Sequence, residues 1–250
     1  HDTWARAAEY FEFHLHHYHV ATTYFGTTWE LAPWHYAPNM TAMTTPPVLL
    51  ALATYAIVAI LWRWAFNRPV HDAADEPARW KEAALLLLMF GYGINLLPSM
   101  LPWAPKYGGV RLFLPMFPYL AVMAGVGFFW LSQRIIERGK DNWGAEFANF
   151  PIKLRVGLAV LVVLTLVVAI GNSHPFGMSY YNSLIGGPSG AYELGMEPTY
   201  WGDTYLAAVG WLNREAEHGA KVWINVVGFA SSVELYKPFG MLRDDLQITA

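Results

Sequence analysis

Residues 48–62 read VLLALATYAIVAILW, inside an apolar run that begins at Pro47 and ends at Phe66. A helix crossing the hydrocarbon core of a bilayer needs about 20 mostly apolar residues. This run has that length, carries no charge before Arg63, and shows no polar face. Three later stretches repeat the pattern. Trp80 to Leu101 is interrupted by Gly91, Gly93 and Asn95. Leu112 to Leu131 reads LFLPMFPYLAVMAGVGFFWL, and Leu154 to Ile170 reads LRVGLAVLVVLTLVVAI, the shortest. One such stretch could be a buried helix of a large soluble protein; four in succession without a polar stripe predict a polytopic membrane chain.

Composition agrees. Of the 250 residues 55% are apolar and 14% charged, against roughly a quarter charged in soluble domains. The 12 Trp and 14 Tyr suit the aromatic belts of membrane–water interfaces. A net charge of −3 carries no basic stripe for nucleic acid. With no cysteine in the sequence, disulfides and thiolate metal sites are excluded. The chain opens on His1 and a polar, aromatic stretch, which reads as the continuation of a longer protein.

Lysines and arginines are retained in cytoplasmic loops. Arg63, Arg68, Arg79 and Lys81 flank the first connection; Arg134, Arg138, Lys140, Lys153 and Arg155 flank the third. The second has Lys106 and Arg111 alone. The first and third connections are therefore expected in the cytoplasm, and both ends of the chain outside, in the plasma (inner) membrane. Pro115 and Pro118 predict a kink within the third span, tolerated where neighbours re-satisfy the freed carbonyls. The expected fold is mainly α: a helical bundle of four spans at 46–171, an outer loop with interfacial helices at 1–45, and an outer loop with a small α/β domain at 172–250.

In the first outer segment, RAAEYFEFHLHHYHVATTYFG (6–26) spaces aromatics as a surface-lying amphipathic helix would. Pro33 and Pro38 are read as breaking any helix after it. His14 and His17 stand one helical turn apart and could share a divalent metal ion, although no second spaced cluster completes a site; interfacial histidines are the plainer reading. Near the other end, Thr204–Glu217 has amphipathic helical spacing, with Asp203 as N-cap and Gly219 as C-cap candidate. Lys221–Val227 reads as a buried strand and Ser231–Tyr236 as a short helix. The following VVGFASS lacks a dinucleotide-binding glycine pattern.

The outward acids Glu9, Glu12, Glu30, Glu193, Glu197 and Asp203 form no pair in sequence, so solvated surface acids are the default. Lys106 and Arg111 run against the positive-inside trend. Cations at the outer surface suit a lipid-linked phosphate, which arginine can grip through a bidentate fork. Interfacial snorkelling is the alternative.

Four stretches taken together carry a resemblance: AEYFEFHLHHYHVATTYFG (8–26), PWHYAPNMTAMTTPP (33–47), KYGGVRLFLPMFPYLAVMAGVGFFWL (106–131) and HPFGMSYYNSLIGGPSGAYELGMEPTYWGD (174–203). They resemble bacterial membrane glycosyltransferases of the GT-C type, grouped with protein O-mannosyltransferases and aminoarabinose transferases (family 39-like). The resemblance implies transfer of a sugar from a polyprenyl-phosphate donor to a lipid, glycan or protein acceptor on the outer face. It implies a catalytic acid in an earlier outer loop, ahead of His1, acting as general base, and inversion at the anomeric carbon. Lys106 and Arg111, or a metal ion, would meet the donor phosphate. Tyr24, Trp29, Trp34, His35 and Tyr36 would wall the site with aromatics. A transporter or flippase, expected to line its spans with polar groups, and a membrane-anchored outer sensing or assembly module are the rival readings.

Overall fold

The computed structural model describes residues 3–15, 20–66, 76–143, 151–197, 199, 202, 204–224 and 227–249. The chain is mainly helical. It divides into two compact units: residues 1–172 with 181–197, and residues 173–180 with 198–250. The chain thus passes between the units three times, after 172, 180 and 197, because 181–197 return to the first unit.

Among the described residues, four helices are long and apolar enough to cross a membrane: Pro47–Phe66, Trp80–Met100, Arg111–Gly139 and Pro151–Ser173. In the first unit, α1 spans Thr3–Leu15. A hairpin follows, β1 (Thr22–Tyr24) paired antiparallel with β2 (Thr27–Trp29), Thr22 facing Trp29 and Tyr24 facing Thr27. Its two-residue turn puts both Phe25 (φ 49°) and Gly26 (φ 71°) in the left-handed region, as the tightest hairpin turns require. Helix α2 runs Tyr36–Thr44. Pro38, expected to break a helix, lies in its first turn, where no intrahelical N–H is needed. Thr45 then takes an extended conformation (ψ 133°), as the residue before a proline does.

Helix α3 (Pro47–Phe66) packs along α5 (Phe117–Trp143). The buried residues of α3 are Leu52, Ala53, Ala56 and Ile60, at helical spacing and half of them alanine. Leu120, Met123 and Ala124 of α5 are also buried. At Gly127 the backbones approach so closely that a Cβ would collide with the carbonyl oxygen of Leu52. Small residues permit such approach in membrane bundles, where dispersion and not the hydrophobic effect drives packing. Helix α4 (Glu76–Leu96) runs into a 3-10 turn at Leu97–Met100. The third span, Arg111–Gly139, is kinked as expected, near its start. Residues Arg111–Met116 form a 3-10 turn broken at Phe113 (φ −122°), and Pro118 falls in the first turn of a regular α5. Helix α6 (Pro151–Ser173) buries none of its residues. The loop 181–197 contains a 3-10 turn at Ser183–Ile185 and α7 at Gly187–Glu193.

In the second unit, α8 (Tyr205–Glu215), β3 (Lys221–Trp223), α9 (Val227–Glu234) and β4 (Gln247–Thr249) surround a core of Val209, Ile224, Val233, Leu242 and Leu246. β3 and β4 pair in parallel, Val222 facing Ile248. The strand is shorter than expected, and Val227 already belongs to α9. Asp203, the expected cap of α8, lies outside the described residues. Gly219 (φ 73°) sits in the turn beyond the helix, whose C-cap is Ala216. The end of α8 is closed by Arg243, which donates to the carbonyls of Asn213 (3.2 Å), Ala216 (2.9 Å) and Glu217 (3.2 Å). Asp245 holds that guanidinium at 2.7 Å and accepts the Gly219 N–H at 2.8 Å.

Candidate functional site

The hairpin, α2, the loop before α5 and the segment 181–197 meet in the first unit. Tyr24 is buried at the end of β1. Its hydroxyl accepts from Asn39 Nδ2 (2.7 Å) and lies 2.8 Å from His35 Nδ1. Burial pushes the Tyr24 phenol up, while the Asn39 bond opposes it. Tyr36 packs edge-on against Tyr24, ring centroids 5.1 Å apart, and its hydroxyl accepts the Gly109 N–H at 3.2 Å. Burial pushes the Tyr36 phenol far up, and the Glu197 charge adds to the shift. Thr22 stands beside this phenol without reaching hydrogen-bond geometry. Its buried Oγ1 has no partner among the described residues.

The segment 181–197 closes the cluster. Glu197 Oε1 accepts the Thr23 N–H at 2.7 Å, and its carbonyl accepts the Tyr181 hydroxyl at 2.7 Å. Gly26 donates to the Gly195 carbonyl at 2.8 Å. Gly195 has φ 70°, and a Cβ there would strike the Gly26 backbone; only glycine meets both conditions. Asn182 is fully buried. Its Nδ2 donates to the carbonyls of Ala42 (2.6 Å) and Thr45 (2.8 Å), and its own N–H reaches Met43 (2.8 Å). It ties the loop to the end of α2, where the carbonyls lack intrahelical partners.

Of the aromatics expected to wall the site, Tyr24 and Tyr36 are core side chains and His35 is half-buried between them and Trp34. Trp29 and Trp34 are exposed, 39% and 59%, and are the two whose ring faces remain available. The expected cations separate. Arg111 is exposed at the start of its 3-10 turn. Lys106 is buried, and its ammonium donates to the carbonyls of Leu101 (2.7 Å) and Ala104 (2.9 Å). Burial lowers its pKa from the usual lysine value. Two of its three N–H donors thus fasten the 101–106 loop.

His17 lies outside the described residues, as does the side chain of His14. Among the described residues no group of three His, Asp or Glu could hold a metal ion. Asn39, Asn182 and Tyr181 were not singled out from sequence. Glu197 was weighed there only as one of several solvated acids. No family model, curated protein or solved structure matches the chain.

Proposed function

We propose that this chain forms the outer-face part of a membrane glycosyltransferase that takes its sugar from a polyprenyl-phosphate donor. One observation carries the reading. Parts of the stretches behind the GT-C resemblance that are far apart in sequence, in 22–26, 36–45, 106–116 and 181–197, belong to one unit and bond to one another. Thr23 reaches Glu197, Tyr36 reaches Gly109, and Asn182 reaches Ala42 and Thr45.

In this reading the face carrying the hairpin is extracytoplasmic. Arg111 meets the donor phosphate and stabilises the charge that develops as the phosphate leaves. Lys106 positions the loop that presents Arg111. Trp29 and Trp34 offer flat apolar faces to the sugar ring and the prenyl tail. The general base is the outer-loop acid that the resemblance implies, accepting the proton of an acceptor hydroxyl as it attacks the anomeric carbon. The second unit, with its small α/β pattern, is extracytoplasmic in this reading as well. A transporter would expose polar groups within its spans, whereas Asn95 donates to Gly91 of its own helix at 2.7 Å.

The test is turnover by the full-length protein in proteoliposomes with a polyprenyl-phosphate sugar, followed by release of polyprenyl phosphate. Arg111→Ala should lower kcat/KM about 100-fold or more, the scale for losing a charge-stabilising donor. Transfer from a nucleotide sugar alone, or unchanged turnover in Arg111→Ala, rejects the corresponding part of the reading.

A further inference from the structure

A groove of ≈ 680 Å³ lies between α3 and α5, lined from Tyr55 to Arg63 on one helix and from Trp130 to Arg134 on the other. The site described above adjoins the opposite end of α3, where Asn182 holds Thr45. The groove is graded along its length. Val58 and Ala59 make an apolar stretch, Trp62 and Trp130 follow, and Arg63 stands at the helix end. From Tyr55 to Arg63 the helix rises about 12 Å, enough to run from the interface into one leaflet.

Two features go beyond interfacial arginines reaching for water. The Tyr55 hydroxyl is buried and has no hydrogen-bond partner among the described residues, an arrangement that costs free energy unless something fills it. The Arg134 guanidinium lies over the Tyr55 ring, 5.7 Å from its centroid, and makes no ion pair among the described residues. Around it, Arg63 is loosely paired with Glu82 at 3.6 Å, Gln133 donates to Glu137 at 2.9 Å, and Arg155 donates to Gln133 at 2.7 Å. Three guanidiniums against two carboxylates leave a positive balance. A free anion would use the charge but not the apolar stretch; a neutral lipid would use the reverse.

We propose that this groove holds an anionic glycerophospholipid, its phosphate between Arg63 and Arg134, its glycerol and ester region along Val58 and Ala59 as far as the Tyr55 hydroxyl, and its acyl chains running on past Tyr55. The site is separate from the proposed donor site and does not depend on it.

Native mass spectrometry of the full chain in detergent, titrated with short-chain phosphatidylglycerol, phosphatidylcholine or inorganic phosphate, tests it. Phosphatidylglycerol should be retained in preference to the other two. Arg134→Gln should weaken that retention about tenfold, as loss of a charge-assisted contact does. Tyr55→Phe, which keeps the ring and the packing, should weaken it several-fold, and covers the case in which the arginine variant misfolds. Arg138→Gln, exposed on the same helix but outside the groove, should change nothing. Equal retention of phosphatidylcholine, equal binding of inorganic phosphate, unchanged retention in Tyr55→Phe, or an Arg138→Gln loss equal to that of Arg134→Gln would each overturn the proposal.

Discussion

Asn182 joins the 181–197 segment to the end of α2. It is 0% exposed, and its amide reaches two carbonyls at the end of α2, while its Oδ1 accepts from Leu184 at 3.1 Å. An alanine leaves those groups buried without the amide, at about 1–3 kcal/mol for each one left unsatisfied. Asn182→Ala should therefore destabilise the first unit by about 3 kcal/mol or more. Hydrogen exchange of α2 amides in detergent would show it, and wild-type protection in the variant would contradict it. Lys106 teaches the converse at this scale. Its charge and its place between spans pointed to a surface phosphate, but nothing in a sequence says whether an ammonium faces outward. Here it fastens its own loop and Arg111 is left exposed.

At the scale of elements, the spans were legible and the hairpin was not. A run such as 48–62 declares itself through local composition, since about 20 apolar residues suffice whatever surrounds them. The helix α8 was legible for the same reason, from the spacing of Leu206, Val209 and Leu212. β1 and β2 are three residues each, too short to carry a pattern, and they exist because Glu197 and Gly195 hold them from across the chain. Pro38 shows that a proline ends a helix only if it falls past the first turn.

The loop that closes α8 supplies a pH prediction for the second unit. Asp245 has its carboxyl held well below its ordinary value of 3.8, chiefly by the Arg243 hydrogen bond and then by the Gly219 N–H. A depressed folded value means that the unfolded chain binds the proton first as pH falls. The stabilisation is therefore complete above 3.8 and is lost progressively below it. Hydrogen exchange of α8 amides should show protection over Asp245→Asn at pH 6, and the gap should close as the pH drops below that value. A gap that stayed constant down to pH 2 would show that the carboxylate charge is not what holds the loop.

For the whole molecule, the alternating ends of the four spans set the topology. Because the sequence contains no cysteine, single-cysteine labelling reports it without background. Trp34→Cys and Trp103→Cys should react with a membrane-impermeant thiol reagent from one side, and Arg138→Cys from the other. Labelling of all three from one side would refute the four-span arrangement. What the sequence did not disclose at this scale is the return of 181–197 to the first unit. Its signals are a carboxylate, an amide and a glycine, whose partners lie 137 to 174 positions away for the first two.

That separation also has a meaning in time. A ribosome adding ~5–20 residues per second makes Thr23 roughly 10–35 s before it makes Glu197, 174 residues later. Between them, all four apolar helices must leave the ribosome and find the bilayer. The hairpin spends that interval without its clasp, and its threonine-rich strands can remain hydrated while they wait. The bond between the hairpin and Glu197 can thus form only after the four apolar helices have been made.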